Sequence, residues 1–238
     1  MKTYIKHYKC SFAYQRYFSE LSAYREQFTF WTYWASGWSN PTLISANDKY
    51  LKLELTEVTG IQCCWNDAEL IALRLCAAIN TLVYKKWSAA CTRRSVLDKV
   101  TNFERAKYGL ALNEIVSYFE KVQPVYFRIQ GDMKPDNVYK TGGIYSVVDW
   151  ELSRWGTVHE EVGSLLANAL LSEIKKDLAV GFTDYLITVF KVAMPARVAV
   201  ALAIIDLLRQ ANREYAINDI KRANLRYSAA DIWMSKWF

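Results

Sequence analysis

Glycine is scarce in this chain and comes late, with nine in 238 residues and the first at Gly37. A glycine-rich loop that wraps phosphates with backbone N–H groups is therefore excluded from everything before that position. Long hydrophobic runs are also missing. None reaches the roughly 18 apolar residues of a membrane-spanning helix, and the opening "MKTYIKHYKC" alternates polar and apolar residues where a signal peptide has an apolar block. These absences predict a soluble, cytoplasmic protein with no membrane span. The five cysteines form no CxxC pair, and none stands at zinc-ligand spacing with His7 or His159. That argues against a disulfide framework or a structural zinc and for buried, reduced thiols. Charge of one sign is not concentrated either: the net charge is +6 and no basic block exceeds two residues, so nucleic-acid binding is not indicated.

What is present is apolar and aromatic, 52% and 15% of the residues, enough for a substantial core in one large domain or two small lobes. "TYIKHY" (3–8) reads as a strand. Tyr14, Tyr17, Phe18, Leu21, Tyr24 and Phe28 then recur at the spacing of one helix face. An aromatic stretch, "TFWTYWASGWSNP", leads to "TLIS", a turn at Asn47 and Asp48, and "YLKLEL", which together predict a hairpin. Helical periodicity follows from Asp67 through "AELIALRLCAAINTLVYKKW", and a second helix is predicted over 95–121. Beyond Glu151 the pattern is helical again, and "ARVAVALAIIDLLRQ" (196–210) is apolar nearly all round, as a buried helix is.

One polar stretch interrupts these helices: "RIQGDMKPDNVYKTGGIYSVVDWE", residues 128–151. It is either a decorative polar hairpin or a site for metal and phosphate. "NVYK" and "IYSVVD" have the character of strands, and "TGG" supplies a turn whose glycines accept positive φ. With the turn centred near Gly142 and Gly143, partners sum to about 286, which sets Asn137 opposite Asp149 with Cβ atoms roughly 5 Å apart. An amide oxygen and a carboxylate at that separation can share one Mg²⁺, a cation that prefers hard oxygen ligands. Asp132, after the flexible Gly131, is positioned to take a proton from an attacking hydroxyl. Lys134 can steady a transferring phosphoryl oxygen as a point charge, and Pro135 stiffens the loop between them.

"GDMKPDN", followed twelve residues after its Asn by "DWE", resembles the catalytic loop and metal hairpin of the protein-kinase-like superfamily. The likeness is greatest to its aminoglycoside phosphotransferase and choline kinase branch, whose motif reads GDxxxxN. The resemblance implies an α+β, two-lobed fold, with a truncated sheet-plus-helix lobe over 1–57 and a mainly helical lobe over 58–238. It implies an ATP- and Mg²⁺-dependent phosphotransferase acting on a hydroxyl of a small molecule or protein. Asp132 is then the catalytic base, and Asn137 with Asp149 holds the metal on the nucleotide. A phosphate-binding lysine and the helix glutamate that orients it are expected upstream, and Lys6 and Glu20 stand fourteen residues apart on the predicted strand and helix. Glu20 sits at the edge of the apolar stripe, where a carboxylate needs a cation. The alternatives are an exposed Glu20 paired with Arg16 one turn back, or Glu26 in its place. "YLKLELTEVTG" resembles the family's hinge, with backbone near Glu54 to Glu57 meeting adenine.

Two features depart from the family pattern. Only five residues precede Lys6, where relatives place two strands and a phosphate-covering loop, so a weakly catalytic, kinase-like binding protein stands as the alternative function. Lys134 occupies a position where small-molecule kinases often carry His and serine/threonine protein kinases carry Lys, which leaves a protein acceptor open. Residues 160–238 hold nine acidic and ten basic residues, a balance that does not favour a polycationic acceptor. With the base role filled by Asp132, His159 is read as structural.

Overall fold

A computed structural model describes residues 2–9, 12–26, 38–82 and 101–238. The aromatic stretch up to Gly37 and the predicted helical residues 83–100 lie outside the described residues. By packing, the chain divides into two compact units, one of residues 1–68 and 127–155, the other of residues 69–126 and 156–238. The expected α+β class is found, with strands gathered in the first unit and helices dominating the second.

The first unit opens with β1 (Thr3–His7) and α1 (Ala13–Glu26), the strand and then helix that the sequence predicts. Tyr17, Leu21 and Tyr24 fall on one face of α1 and are buried. After β2 (Trp38–Ser39), the predicted hairpin forms from β3 (Leu43–Asn47) and β4 (Lys52–Thr56) around a single 3-10 turn, whose first residues are held by the Asn47 side chain accepting the Tyr50 N–H. β1 runs antiparallel to β4, with Lys6 opposite Leu53, and the sheet order is β1-β4-β3.

A second sheet is built on the polar stretch. β5 (Ile61–Gln62) adds to β7 (Val138–Thr141), and β2 adds in parallel to β8 (Ile144–Val147), giving the order β2-β8-β7-β5. Gly142 and Gly143, at φ 54° and 86°, form the two-residue turn between β7 and β8; both angles are of the left-handed kind such hairpin turns require. β6 (Phe127–Ile129) and β9 (Arg154–Gly156) make a short ladder of their own.

The second unit contains α2 (Ala68–Leu82, from its second residue), α3 (Asn102–Lys107), α4 (Gly109–Val122), α5 (Val158–Ile174), α6 (Phe182–Phe190), α7 (Ala196–Ala216) and α8 (Ile220–Trp237). The single helix predicted over 95–121 is instead two helices where described, broken at Tyr108 (φ −108°, ψ 22°). Thr101 and Glu104 cap the start of α3 reciprocally, and the Tyr108 hydroxyl at the break donates to Asp231 at 2.6 Å. α7 is buried along most of its length, as its nearly continuous apolar surface predicts. Among the described residues no helix is long and apolar enough to cross a membrane, and Cys63, Cys64 and Cys76 are free.

Candidate active site

Side chains alternate faces along a strand, so Tyr4 and Lys6 project from the same side of β1. α1 brings Glu20 to the same place. The Lys6 ammonium lies 2.8 Å from Glu20 Oε2, 2.8 Å from Asp149 Oδ1 and 3.0 Å from Glu151 Oε1. Glu20 is only 1% exposed and also accepts the hydroxyls of Tyr8 and, at 3.2 Å, Tyr24 one helical turn on. Arg16 does not pair with Glu20; its guanidinium donates to Glu151 Oε2 at 3.1 Å. The alternative glutamate, Glu26, has a side chain outside the described residues.

The electrostatics follow from this crowding. Burial works against a charged Lys6, but Glu20, Asp149 and Glu151 together outweigh it and hold the ammonium above its usual range. Burial raises the Glu20 carboxyl above the usual carboxylate range, with Lys6 and the Tyr8 hydroxyl opposing the rise. Glu20, Asp149 and Glu151 each offer an oxygen within 4.8 Å of the others, a hard, anionic donor set of the kind that suits a divalent cation.

The second group of residues stands on the loop after β6. Gly131 has φ 78°, and a Cβ there would lie 2.7 Å from the Leu152 carbonyl oxygen, so both the turn and the close approach need glycine. Asp132 follows, with Lys134 Nζ 3.0 Å from its Oδ2. Pro135 starts a 3-10 turn through Asn137. Asn137 is buried, and its Nδ2 donates to the Asp132 carbonyl at 2.9 Å. The loop is thus closed on itself from Asp132 to Asn137.

The hairpin register corrects the sequence expectation. Val138 faces Val147 and Thr141 faces Ile144, so partners sum to 285 and Asn137 stands opposite Val148, whose N–H it accepts at 2.9 Å. A two-residue loop is centred between its residues, which makes partner sums odd; the even sum set the pairing one residue out. Asp149 does not continue the strand. It takes the left-handed conformation (φ 60°, ψ 62°), unusual for a residue with a Cβ, and its carboxylate pairs with Lys6.

Of the residues singled out in the sequence, Lys6, Glu20 and Asp149 are brought into contact, and Asp132, Lys134 and Asn137 into a second cluster. Sequence reasoning missed Glu151 and Arg16 as ion-pair partners, the Tyr8 and Tyr24 hydroxyls, and Gln130. Tyr24 carried a signal, since a tyrosine four residues beyond Glu20 lies over it on a helix. Gln130 is fully buried; its Oε1 accepts the Asp132 N–H at 2.7 Å and its Nε2 donates to the Asp149 carbonyl at 2.9 Å. A polar residue continuing a buried strand was the available clue.

A cavity of about 600 Å³ opens beside Lys6. Lys6, Glu20, Asp149 and Glu151 line its polar part; Tyr4, Leu55, Val58 and Tyr139 supply apolar and aromatic surface. Thr56 and Glu57, from the expected hinge, also line it, with their N–H groups bonded to Thr42 and Lys2 carbonyls at 2.9 and 3.0 Å. The size is that of a typical small-molecule site.

No family model matches the chain, and no curated protein matches it in sequence. Solved structures do match in shape. A thermostable mutant of aminoglycoside phosphotransferase APH(4)-Ia in apo form is 13% identical with a TM-score of 0.58, over 98% of this chain and 86% of that one. Choline kinase LicA from Streptococcus pneumoniae is 8% identical with a TM-score of 0.59, over 99% and 86%. A ternary complex of an APH(4)-Ia mutant with AMP-PNP and hygromycin B is 12% identical with a TM-score of 0.57, over 94% and 82%. At these identities the likeness is one of fold, and the fold is the protein-kinase-like one, in the form seen in aminoglycoside phosphotransferase and choline kinase.

Proposed function

We propose that the chain is an ATP- and Mg²⁺-dependent phosphotransferase that moves the γ-phosphoryl group to a hydroxyl of a small molecule or protein. The observation that carries this reading is Lys6, held by Glu20 and Asp149 at the polar end of the cavity, with Gln130 joining Asp149 to the loop of Asp132. The likeness in fold to a phosphotransferase captured with AMP-PNP and an acceptor supports it.

The roles follow from the chemistry of each group. Lys6 leaves Asp149 and Glu151 for the nucleotide phosphates, and Glu20, with its tyrosines, keeps the ammonium within reach. The Asp132 carboxylate takes the proton of the acceptor hydroxyl, and Lys134 beside it adds positive charge where the transferred group gains negative charge. Asn137, with its amide nitrogen committed to Asp132, has its oxygen left to meet a cation, and Asp149 offers its carboxylate; these two residues would hold Mg²⁺. Bound there, the metal would neutralise charge on the phosphates. Tyr4, Leu55 and Tyr139 provide the surface on which the nucleobase lies. A consumer of ATP works where ATP is supplied, which supports a cytoplasmic location.

A second reading, a kinase-like binding protein with little catalysis, draws on the same lysine: three carboxylates already compete for it. The two readings part on one experiment. Thermal shift with millimolar ATP, with and without Mg²⁺, is measured on wild type, Asp149→Ala and Asp132→Ala, followed by single-turnover transfer. The phosphotransferase shows a Mg²⁺-dependent shift that Asp149→Ala loses, and Asp132→Ala keeps the shift while turnover falls roughly 10²–10⁴-fold. A wild-type shift with no transfer to any hydroxyl, water included, supports the binding protein. No wild-type shift sinks the phosphotransferase.

A further inference from the structure

β1 is the end strand of its sheet. β4 pairs with one side of it, and among the described residues no strand pairs with the other. The Lys2 carbonyl accepts the Glu57 N–H at 3.0 Å and the Tyr8 N–H donates to the Leu51 carbonyl at 3.2 Å, so the even-numbered residues turn their backbone groups towards β4. Backbone direction alternates along an antiparallel strand, and the N–H and C=O groups of Thr3, Ile5 and His7 therefore point away from β4. The register is unbroken from Thr3 to His7, with no bulge and no proline to blunt the edge. Tyr4 is 54% exposed and Ile5 44%.

The side chains define what fits this edge. On the face that carries Lys6, positions 2, 4, 6 and 8 read Lys, Tyr, Lys, Tyr. Two copies of one edge related by a two-fold axis run antiparallel. With Ile5 on the axis, Thr3 faces the partner's His7 and Ile5 faces the partner's Ile5, and each such pair exchanges two hydrogen bonds through groups that point outward in both chains. Every lysine then faces a tyrosine: Lys2 meets the partner's Tyr8, and Lys6 meets the partner's Tyr4, an ammonium against an aromatic ring. Sliding one strand by two residues sets Lys2 against the partner's Lys6 in one direction and Lys6 against the partner's Lys6 in the other, like charges directly opposed. A slide of one residue sets outward groups against residues whose own groups point to β4. Only the first register engages all three outward residues of β1 with those of its copy and opposes no lysines. The charge on Lys6 is moreover offset within its own chain by Glu20, Asp149 and Glu151.

We propose that the open edge of β1 docks a second copy of this chain, paired antiparallel about Ile5 into one continuous sheet. The partner's Tyr4 then stands beside Lys6 on the face that lines the cavity, so each copy adds aromatic surface to the other's site. The pairing stands on the strand itself; its bearing on nucleotide rests on the phosphotransferase reading. An interface centred on one short strand is small, and the dimer is weak and concentration-dependent.

The test is sedimentation of the full chain over roughly 5–500 µM, the range in which so weak a pair dissociates, with hydrogen exchange read at both ends. Wild type is expected to pass from monomer to dimer. The amides of Thr3, Ile5 and His7 gain protection as concentration rises, while those of Tyr4 and Lys6, which face β4, exchange alike throughout. Ile5→Pro removes an outward N–H and leaves the ladder to β4 in place, so it should fold and stay monomeric. Tyr4→Lys sets lysine against lysine twice in each dimer and should weaken association about tenfold. Wild type should also bind AMP-PNP more tightly at high protein concentration, and Ile5→Pro equally at both ends. Monomer throughout, a dimer that leaves the three amides unprotected, or one that both substitutions leave intact overturns the proposal. A protected dimer whose AMP-PNP affinity ignores concentration overturns the part given to the partner's Tyr4. A protected dimer that binds no AMP-PNP overturns the phosphotransferase reading and supports the pairing alone.

Discussion

Glu20, at 1% exposure beside the cavity, and Glu104, at 2% among the helices of the second unit, are both buried carboxylates. Their partners differ in kind. Glu104 takes the Thr101 N–H at 2.6 Å, the Asn212 amide at 2.9 and 3.1 Å, and the Tyr227 hydroxyl at 3.2 Å. Every one is neutral and fixed in place, and the result is a clasp joining α3, α7 and α8. Glu20 has two tyrosine hydroxyls and a cation, and the cation is shared with Asp149, whose side chain is 45% exposed, and with Glu151. A shared cation facing a cavity can be handed to an incoming anion; neutral donors inside a helix bundle cannot. Burial alone does not distinguish a structural carboxylate from a functional one, whereas the exchangeability of its partner does.

The largest effect expected from this contrast is on catalysis. Glu20→Gln keeps an oxygen for the tyrosines but removes the charge that orients Lys6, and turnover should fall roughly 100-fold. Stability should move the other way or not at all. Burial holds the Glu20 carboxyl above its usual range, so the folded state keeps a proton that the unfolded chain releases, and Glu20's contribution to stability falls as pH rises out of the usual carboxylate range. Glu20→Gln should remove that slope and leave the thermal midpoint at neutral pH equal to or above wild type. Denaturant unfolding at several pH values, alongside kcat, measures both. A destabilised Glu20→Gln with normal kcat would make Glu20 another clasp.

The next effect belongs to the second unit, where His159 is buried with its ring edge-on to Tyr118 and Phe119 at 5.7 and 5.5 Å. Burial lowers its pKa to about 4, with Glu160 opposing. The unfolded chain takes up the proton first, near pH 6.5, so His159's contribution is complete above that pH and is lost as pH falls towards 4. By pH 5 the loss amounts to about 2 kcal/mol. His159→Phe should flatten stability over this range while kcat at neutral pH stays unchanged, since no catalytic role falls to this ring. An acid slope that survives in His159→Phe would assign it to other groups.

The sequence made some of this arrangement legible. The β-favouring residues of "TYIKHY" and the stripe of Tyr17, Leu21 and Tyr24 place Lys6 on a strand and Glu20 on a buried helix face, and their contact in the structure follows. The α+β class and the β7–β8 hairpin were legible for the same reason, because periods of two and 3.6 are local properties. The register was not, because it depends on whether the turn holds an odd or even number of residues, which "KTGG" does not state. Nor was the left-handed turn at Asp149, which redirects its carboxylate from the ladder to Lys6; aspartate tolerates that conformation without requiring it, so the residue type does not announce it. Gln130 was hidden because its partners are backbone groups, one two residues on and another nineteen, and Glu151 because its partner Lys6 is over a hundred residues away.

The smallest expected effect completes the contrast, because it applies the same chemical change to Glu104. Glu104→Gln replaces one accepting oxygen with a donor facing the Thr101 N–H or the Asn212 amide, which are already donors. One hydrogen bond is lost and one buried donor is left without an acceptor, at about 1–2 kcal/mol. For a chain of this length that lowers the thermal midpoint by roughly 2–8 °C. The capping box of α3 weakens at the same time, so amides in the first turn of α3 should exchange with solvent faster than those of α5. Turnover measured well below the midpoint should be unchanged, because every partner of Glu104 described above is neutral and none lines the cavity. The same substitution thus slows one region's chemistry without loosening it and loosens the other without slowing it. A Glu104→Gln protein of normal stability that turns over as slowly as Glu20→Gln would break the contrast and make the clasp part of the reaction.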